Sequence, residues 1–294
     1  MNRMRAIRFA PLALAGCAAL GIVCQARAWP AVNALAGSRI EAYPAESASV
    51  SESLSRKFSS PDISYLLLDL RTNTLVASRW SSSEHPIPVG SLVKPFTALA
   101  YAEANGFVFP EHYCAAGTCW LPGGHGRLGI VRAVALSCNS YFTSLAGKVA
   151  APQVREVAHR FGLAGPPANA SAAALAGREG VWRESPRALL HAYAELLGRR
   201  GQPGAVEILA GMRASAREGT AAEIARAVPL VPAFAKTGTA PCTHVSRAPG
   251  DGFVIAAWPA DSPRYLLLLR QHGRPGAVAA SAVGQMVKTL EVQR

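Results

Sequence analysis

Ile63-Ser64-Tyr65-Leu66-Leu67-Leu68-Asp69-Leu70 is the stretch on which the fold turns. Six of its eight residues are apolar, and Arg71-Thr72-Asn73-Thr74 follows as a turn signal. The run predicts a strand, with Leu75 to Trp80 as its hairpin partner. The next strand patterns come only near the other end of the chain, at Ala233 to Thr239, Phe253 to Trp258 and Tyr265 to Arg270. Helical patterns fill the interval. Ser91 to Asn105 is closed by Gly106, Val131 to Val149 is mostly helical, Ser185 caps a helix with Pro186 at its first position, and another covers about Ala205 to Glu218. A last helix covers about Val278 to Val292. Strands at both ends must meet in one sheet. The expected fold is therefore α/β of the α+β kind: a five-stranded antiparallel sheet flanked by helices, plus an all-helical lobe.

The 294 residues are 50% hydrophobic, ample for two lobes sharing a cleft. No repeat or charged low-complexity run is visible. Residues 1–28 read as a signal peptide or membrane anchor. Arg3, Arg5 and Arg8 form a positive region, Phe9 to Cys24 is apolar, and Ala26-Arg27-Ala28 matches a cleavage site. Three fates stay open: cleavage at Ala28, lipidation at Cys17 within Leu14-Ala15-Gly16-Cys17, or an uncleaved anchor. Each predicts an exported protein, periplasmic or on the outer face of the cytoplasmic membrane. Trp29 to Pro61 is Ala/Ser-rich and reads as a linker containing a short helix at Val50 to Phe58, so the folded domain is expected over 62–294.

Net charge is +12, and the leader accounts for four of those charges through Arg3, Arg5, Arg8 and Arg27. A basic exported protein suits an anionic wall or membrane surface, although Arg-rich coding explains the balance equally well. Basic residues are not interleaved with aromatics, so nucleic acid is not an expected partner. Beyond the leader lie Cys114, Cys119, Cys138 and Cys242. In an oxidising compartment an even count permits disulfides, and Cys114–Cys119 is the favoured pair. Without CxxC spacing, no metal site is expected.

Three short patterns carry the chemistry, each occurring once and in this order: Ser91-Leu92-Val93-Lys94, Ser137-Cys138-Asn139 and Lys236-Thr237-Gly238. Ser91 and Lys94, one helical turn apart, supply a nucleophile and an amine. Burial beside a second cation, Lys236, would favour the neutral amine that a general base requires. Ser137 supplies a hydroxyl to relay a proton to a leaving amine, and Asn139 an amide to orient substrate. Lys236 supplies a cation for a substrate carboxylate, helped by Thr237 and Thr239. Gly238 clears a strand edge for substrate backbone. The backbone N–H groups of Ser91 and Thr239 are candidates for an oxyanion hole. A surface serine capping a helix is the bland alternative for any one pattern. The ordered triple arises by chance in on the order of one per cent of such chains, which favours the functional reading.

At these residues the chain resembles the penicillin-binding transpeptidases, relatives of the serine β-lactamases. The likeness runs through Val89 to Phe96, Cys119-Trp120, Gly124-His125-Gly126, Ala135 to Phe142, Ser185-Pro186, Met212, Gly219-Thr220-Ala221 and Ala235 to Ala240, and covers about Ile63 to Leu290. It implies a β-lactamase/transpeptidase-like fold and acylation of Ser91 by the D-Ala-D-Ala end of a peptidoglycan stem peptide. Transfer to a neighbouring amine and covalent capture of β-lactams follow from the same likeness, with no cofactor. The stretch between Ser91 and Ser137 is short for a large transpeptidase, and Ala235 stands where the family usually has Gly, so a small accessory enzyme is the expectation. His125 reads as a turn residue, Glu184 as a structural neighbour of a helix N-cap, and Trp120 and Trp182 as cleft or packing residues. A D,D-carboxypeptidase or β-lactamase on the same scaffold, and a non-catalytic wall-binding or antibiotic-sensing module, are the alternatives.

Overall fold

A computed structural model describes residues 44–243 and 250–292. The leader, the first part of the expected linker and its candidate lipidation site lie outside the described residues. Among the described residues, no helix is long and apolar enough to cross a membrane.

The described chain begins with helix α1 (Pro44–Lys57) and the hairpin β1 (Ile63–Asp69) and β2 (Thr74–Arg79). It then enters a helical region through β3 (Ile87–Pro88), a 3-10 turn (Gly90–Val93) and α2 (Lys94–Ala104). A small hairpin, β4 (His112–Cys114) and β5 (Gly126–Leu128), is followed by α3 (Ile130–Ala135), α4 (Asn139–Ala146), α5 (Ala151–Arg160) and α6 (Ala172–Leu175). Next come β6 (Arg183–Glu184), α7 (Pro186–Gly198), α8 (Ala205–Glu218) and α9 (Glu223–Ala227). The strands β7 (Phe234–Ala240), β8 (Asp251–Trp258) and β9 (Tyr265–His272) and helix α10 (Gly276–Glu291) complete it.

The main sheet has the order β2-β1-β9-β8-β7, with every pairing antiparallel. Strands from the two chain ends therefore meet at β1–β9, where Tyr65 pairs with Leu269 and Leu67 with Leu267. Because side chains alternate across a strand, β1 serves two cores at once. Leu66 and Leu68 join Phe96, Tyr193, Phe253 and Ile255 on the side of the helical lobe. Tyr65 and Leu67 join Val254, Trp258, Val283 and Met286 on the side of α1 and α10. A strand covered on both faces must be apolar almost throughout, which is why ISYLLLDL does not alternate.

Helix α1 carries Val50 and Leu54 into that second core, so residues 44–57 belong to the folded unit rather than to a linker ahead of it. Helix α2 is buried from Lys94 through Ala102. It is a helix surrounded on all sides, which explains the absence of a polar stripe. The expected helix from Ser91 is a 3-10 turn joined to α2 at Lys94, with Pro95 in the first turn of α2. Tyr193 satisfies the turn by donating its hydroxyl hydrogen to the Leu92 carbonyl at 2.8 Å.

The expected continuous helix over 131–149 is two helices broken at Ser137. The Cys138 N–H bonds the Ala133 carbonyl at 3.0 Å and the Ser137 N–H bonds the Val134 carbonyl at 3.1 Å. Together they form a Schellman ending to α3, with Ser137 at φ +49° in the left-handed position where glycine is usual. Cys138 then caps α4, its sulfur accepting the Tyr141 N–H.

Candidate active site

The edge strand β7 pairs only with β8, so its other edge faces the turn that carries Ser91. Gly90 has φ +58°, and a Cβ there would collide with the Thr239 carbonyl. Two backbones thus touch where side chains would normally keep them apart. At Gly238 an added Cβ would lie 2.9 Å from the Val89 carbonyl oxygen. Close contact of the Ser91 turn with Thr239 is therefore written in glycine.

A cleft of about 320 Å³ opens at this junction. Ser91, Ser137, Asn139, Thr237, Gly238 and Thr239 all line it. The two remaining residues singled out from the sequence, Lys94 and Lys236, are 0% exposed and lie beneath the cleft wall. Lys94 Nζ donates to the Ser137 carbonyl at 2.8 Å and to Asn139 Oδ1 at 2.7 Å, and sits 3.4 Å from Ser137 Oγ. Lys236 Nζ donates to Ser137 Oγ at 2.7 Å and to the Thr237 carbonyl at 2.6 Å. One hydroxyl thus stands between two buried amines.

Two ammonium groups cannot share a dry site cheaply, because burial penalises each charge and each opposes the other. Burial lowers Lys94 to about 7, with Arg178 contributing in the same direction and Cys138 and Cys119 opposing. Lys236 is held well below its ordinary value, by burial first and by Lys94 second. A neutral Lys94 has two N–H groups, and its two short bonds use both. Its lone pair remains available to accept a proton.

The structure adds residues to which the sequence reading gave no role. Arg178 lines the cleft and is exposed, so it offers a solvent-facing cation that Lys236 does not. Its position after Gly177 in an irregular loop carries no pattern that could have announced it. Thr220 lines the same cleft, its hydroxyl 2.6 Å from that of Thr237. Trp120, read from the sequence as a cleft or packing residue, is half exposed, lines the cleft and donates its ring N–H to the Leu136 carbonyl.

Glu184 is buried and accepts N–H bonds from Ala164, Gly165 and Trp182, so its carboxylate is committed to anchoring a loop. Trp182 packs beside it and is buried. None of the described residues lining the cleft is a carboxylate. The expected Cys114–Cys119 disulfide is absent: Cys114, Cys119 and Cys138 are not joined by disulfides. Cys119 instead turns toward Cys138, Sγ to Sγ 3.8 Å, because its loop folds back onto the α3–α4 junction. His125 faces Cys114, its Nδ1 3.5 Å from the sulfur.

A hydroxyl in a cleft at a strand edge, a buried basic amine beneath the cleft wall and a second hydroxyl between that amine and another are the elements of serine acyl transfer. No protein-family model matches the chain and no curated protein matches its sequence. Solved structures do match. Pseudomonas aeruginosa PBP2 in complex with WCK 5153 superposes with a TM-score of 0.70 at 15% identity, covering 83% of this chain and 73% of that one. The transpeptidase domain of Burkholderia pseudomallei penicillin-binding protein 3 gives 0.66 at 16% identity, covering 85% and 94%. Penicillin-binding protein A of Mycobacterium tuberculosis, solved as a ceftriaxone acyl-enzyme complex, gives 0.64 at 16% identity, covering 84% and 78%. The fold is that of the penicillin-binding protein transpeptidase domains.

Proposed function

We propose that the protein is a serine D,D-transpeptidase that acts on D-Ala-D-Ala stem peptides of peptidoglycan through an acyl-enzyme on Ser91. The observation that carries this reading is the single cleft lined by Ser91, Ser137, Asn139 and Thr237–Thr239 above two buried lysines. The neighbour solved as a β-lactam acyl-enzyme supports covalent capture of such drugs here too.

In this scheme a stem peptide lies along the open edge of β7, its terminal carboxylate near Arg178, Thr237 and Thr239. Asn139 orients its amide. Ser91 Oγ attacks the carbonyl of the penultimate D-Ala while neutral Lys94 takes the hydroxyl proton. The backbone N–H groups of Ser91 and Thr239 stabilise the oxyanion. When the C–N bond breaks, the departing D-Ala amine takes a proton through Ser137, which is linked to both lysines. An acceptor amine then attacks the ester, gives up a proton along the same route, and restores Ser91.

Glu184 is tied to three N–H donors, an arrangement that argues against efficient hydrolysis of the ester and so against a β-lactamase. The positive and apolar leader supports export to the periplasm or to the outer face of the cytoplasmic membrane. The test is incubation with a D-Ala-D-Ala pentapeptide and a D-amino acid acceptor, with products resolved by mass spectrometry. Exchange of the terminal D-Ala exceeding hydrolysis is expected. Hydrolysis alone would make the protein a carboxypeptidase, and no D-Ala release would sink the proposal.

A further inference from the structure

Cys114, Cys119, Cys138 and His125 each turn one ligand atom into a common space, all four atoms within 4.8 Å of one another. Two come from the β4–β5 hairpin loop and one from the end of β4, and the fourth is the middle residue of Ser137-Cys138-Asn139. A tetrahedral zinc with bonds of about 2.3 Å to sulfur and about 2.0 Å to nitrogen has S–S edges near 3.8 Å and S–N edges near 3.5 Å. The Cys119–Cys138 separation is 3.8 Å and the Cys114–His125 separation is 3.5 Å. A disulfide would need sulfurs at about 2.05 Å. Both separations match tetrahedral edges, and the remaining pairs lie within 4.8 Å.

Backbone donors already face two of the sulfurs. The Asn139 N–H donates to Cys119 Sγ at 3.2 Å and the Tyr141 N–H to Cys138 Sγ at 3.4 Å. A cation among the sulfurs would complete the stabilisation of thiolate that these N–H groups begin.

We propose that these four residues form a Cys3His site for a soft divalent cation, zinc in class, which clamps the β4–β5 hairpin onto the α3–α4 junction. Binding is balanced by loss of three thiol protons to solvent, while neutral His125 binds through the lone pair on Nδ1. The occupied site carries one net negative charge. The ion makes no contact with substrate. It acts as a positioning group, holding Cys138 and therefore the strained Ser137 and the Asn139 beside it. The clamp is independent of the acyl-transfer proposal and stands if that proposal fails.

The test is metal analysis of the full chain, purified under reducing conditions and dialysed against metal-free buffer before addition of zinc or cobalt(II). One equivalent of zinc per chain is expected. Cobalt(II) should give the intense visible bands of a tetrahedral ion with thiolate charge transfer. Cys119→Ser and His125→Ala should each weaken cobalt binding by about 100-fold or more. Cys242→Ser should bind as the wild type does, which separates this site from the group Cys242, Asp251 and His272. If the ligand variants do not fold, the wild-type stoichiometry and cobalt spectrum decide. Zinc below one tenth of an equivalent (taking roughly that level as background) would overturn the proposal. So would a weak octahedral cobalt spectrum, or a Cys119–Cys138 disulfide that forms despite added zinc.

Discussion

Lys236 donates a 2.7 Å hydrogen bond to the hydroxyl of Ser137, a residue held at φ +49° where the α3 helix ends. A glycine would occupy that backbone position more comfortably, by about 1 kcal/mol. The serine is therefore retained for its hydroxyl. Ser137→Ala and Ser137→Gly both remove it, and both are expected to slow acylation by about 100-fold. The glycine variant should nonetheless be the more stable of the two by about 1 kcal/mol. Urea unfolding together with stopped-flow penicillin binding checks both statements. Equal stability of the two variants would mean that the left-handed backbone carries no strain.

The pH dependence follows from the two buried amines. Lys94 titrates near 7 in the folded protein against 10.5 as its ordinary value. Acylation, which needs the neutral amine, should rise with pH through about 7. Stability should respond with the same sign. Between about 7 and 10.5 the unfolded chain binds a proton that the folded chain does not, so stability climbs with pH across that window. Lys236 is lowered too and adds to the climb. Each lysine contributes at most about 1.4 kcal/mol per pH unit. Lys94→Met should abolish acylation and reduce the slope. Thermal unfolding at a series of pH values measures it, and a flat or falling wild-type profile from 7 to 9 would count against neutral amines.

Gly90→Ala would push a methyl group into the Thr239 carbonyl and strain a backbone at φ +58°. A loss of about 2–3 kcal/mol is expected. Acylation should fall more steeply than stability explains, since the clash separates Ser91 from β7. Denaturant unfolding and labelling rate on the same sample test this.

Arg178 is the exposed cation among the described residues that line the cleft. Arg178→Ala should raise KM for carboxylate-bearing substrates by about 10-fold while kcat changes little, and the effect should shrink at high salt. A substrate with an amidated C-terminus should not distinguish the variant from wild type. If it does, Arg178 acts through the fold instead of through charge.

Glu184→Gln replaces one acceptor oxygen by a donor facing N–H groups. A loss of about 1–3 kcal/mol is expected, with the lifetime of the penicilloyl ester unchanged. A markedly longer ester lifetime in the variant would identify Glu184 as a deacylating base.

Much of this architecture was legible in the residues, for physical reasons that differ from place to place. The sheet could be read because β1 is apolar on both faces and bounded by turn residues. The cleft could be read because Ser91, Lys94, Asn139 and Lys236 are chemically distinctive and lysine is scarce. The break at Ser137 could not, since it is made by a serine in a glycine position and a sulfur cap at Cys138. Helix α1 was obscured by Ala/Ser composition, with only Val50 and Leu54 marking its buried face. The thiol cluster was hidden by its spacing: 114, 119, 125 and 138 converge only after the hairpin folds over the helix junction. Lys236 was expected to attract a substrate carboxylate; its burial and the exposed Arg178 lining the cleft are products of tertiary packing that no local pattern announces.

The most direct measurement is intact-protein and peptide mass spectrometry after labelling with a fluorescent penicillin, for wild type and Ser91→Ala. One adduct per chain is expected, on the peptide that contains Ser91, with none in the variant. Label persisting in Ser91→Ala, or located on any other peptide of the wild type, would contradict the account.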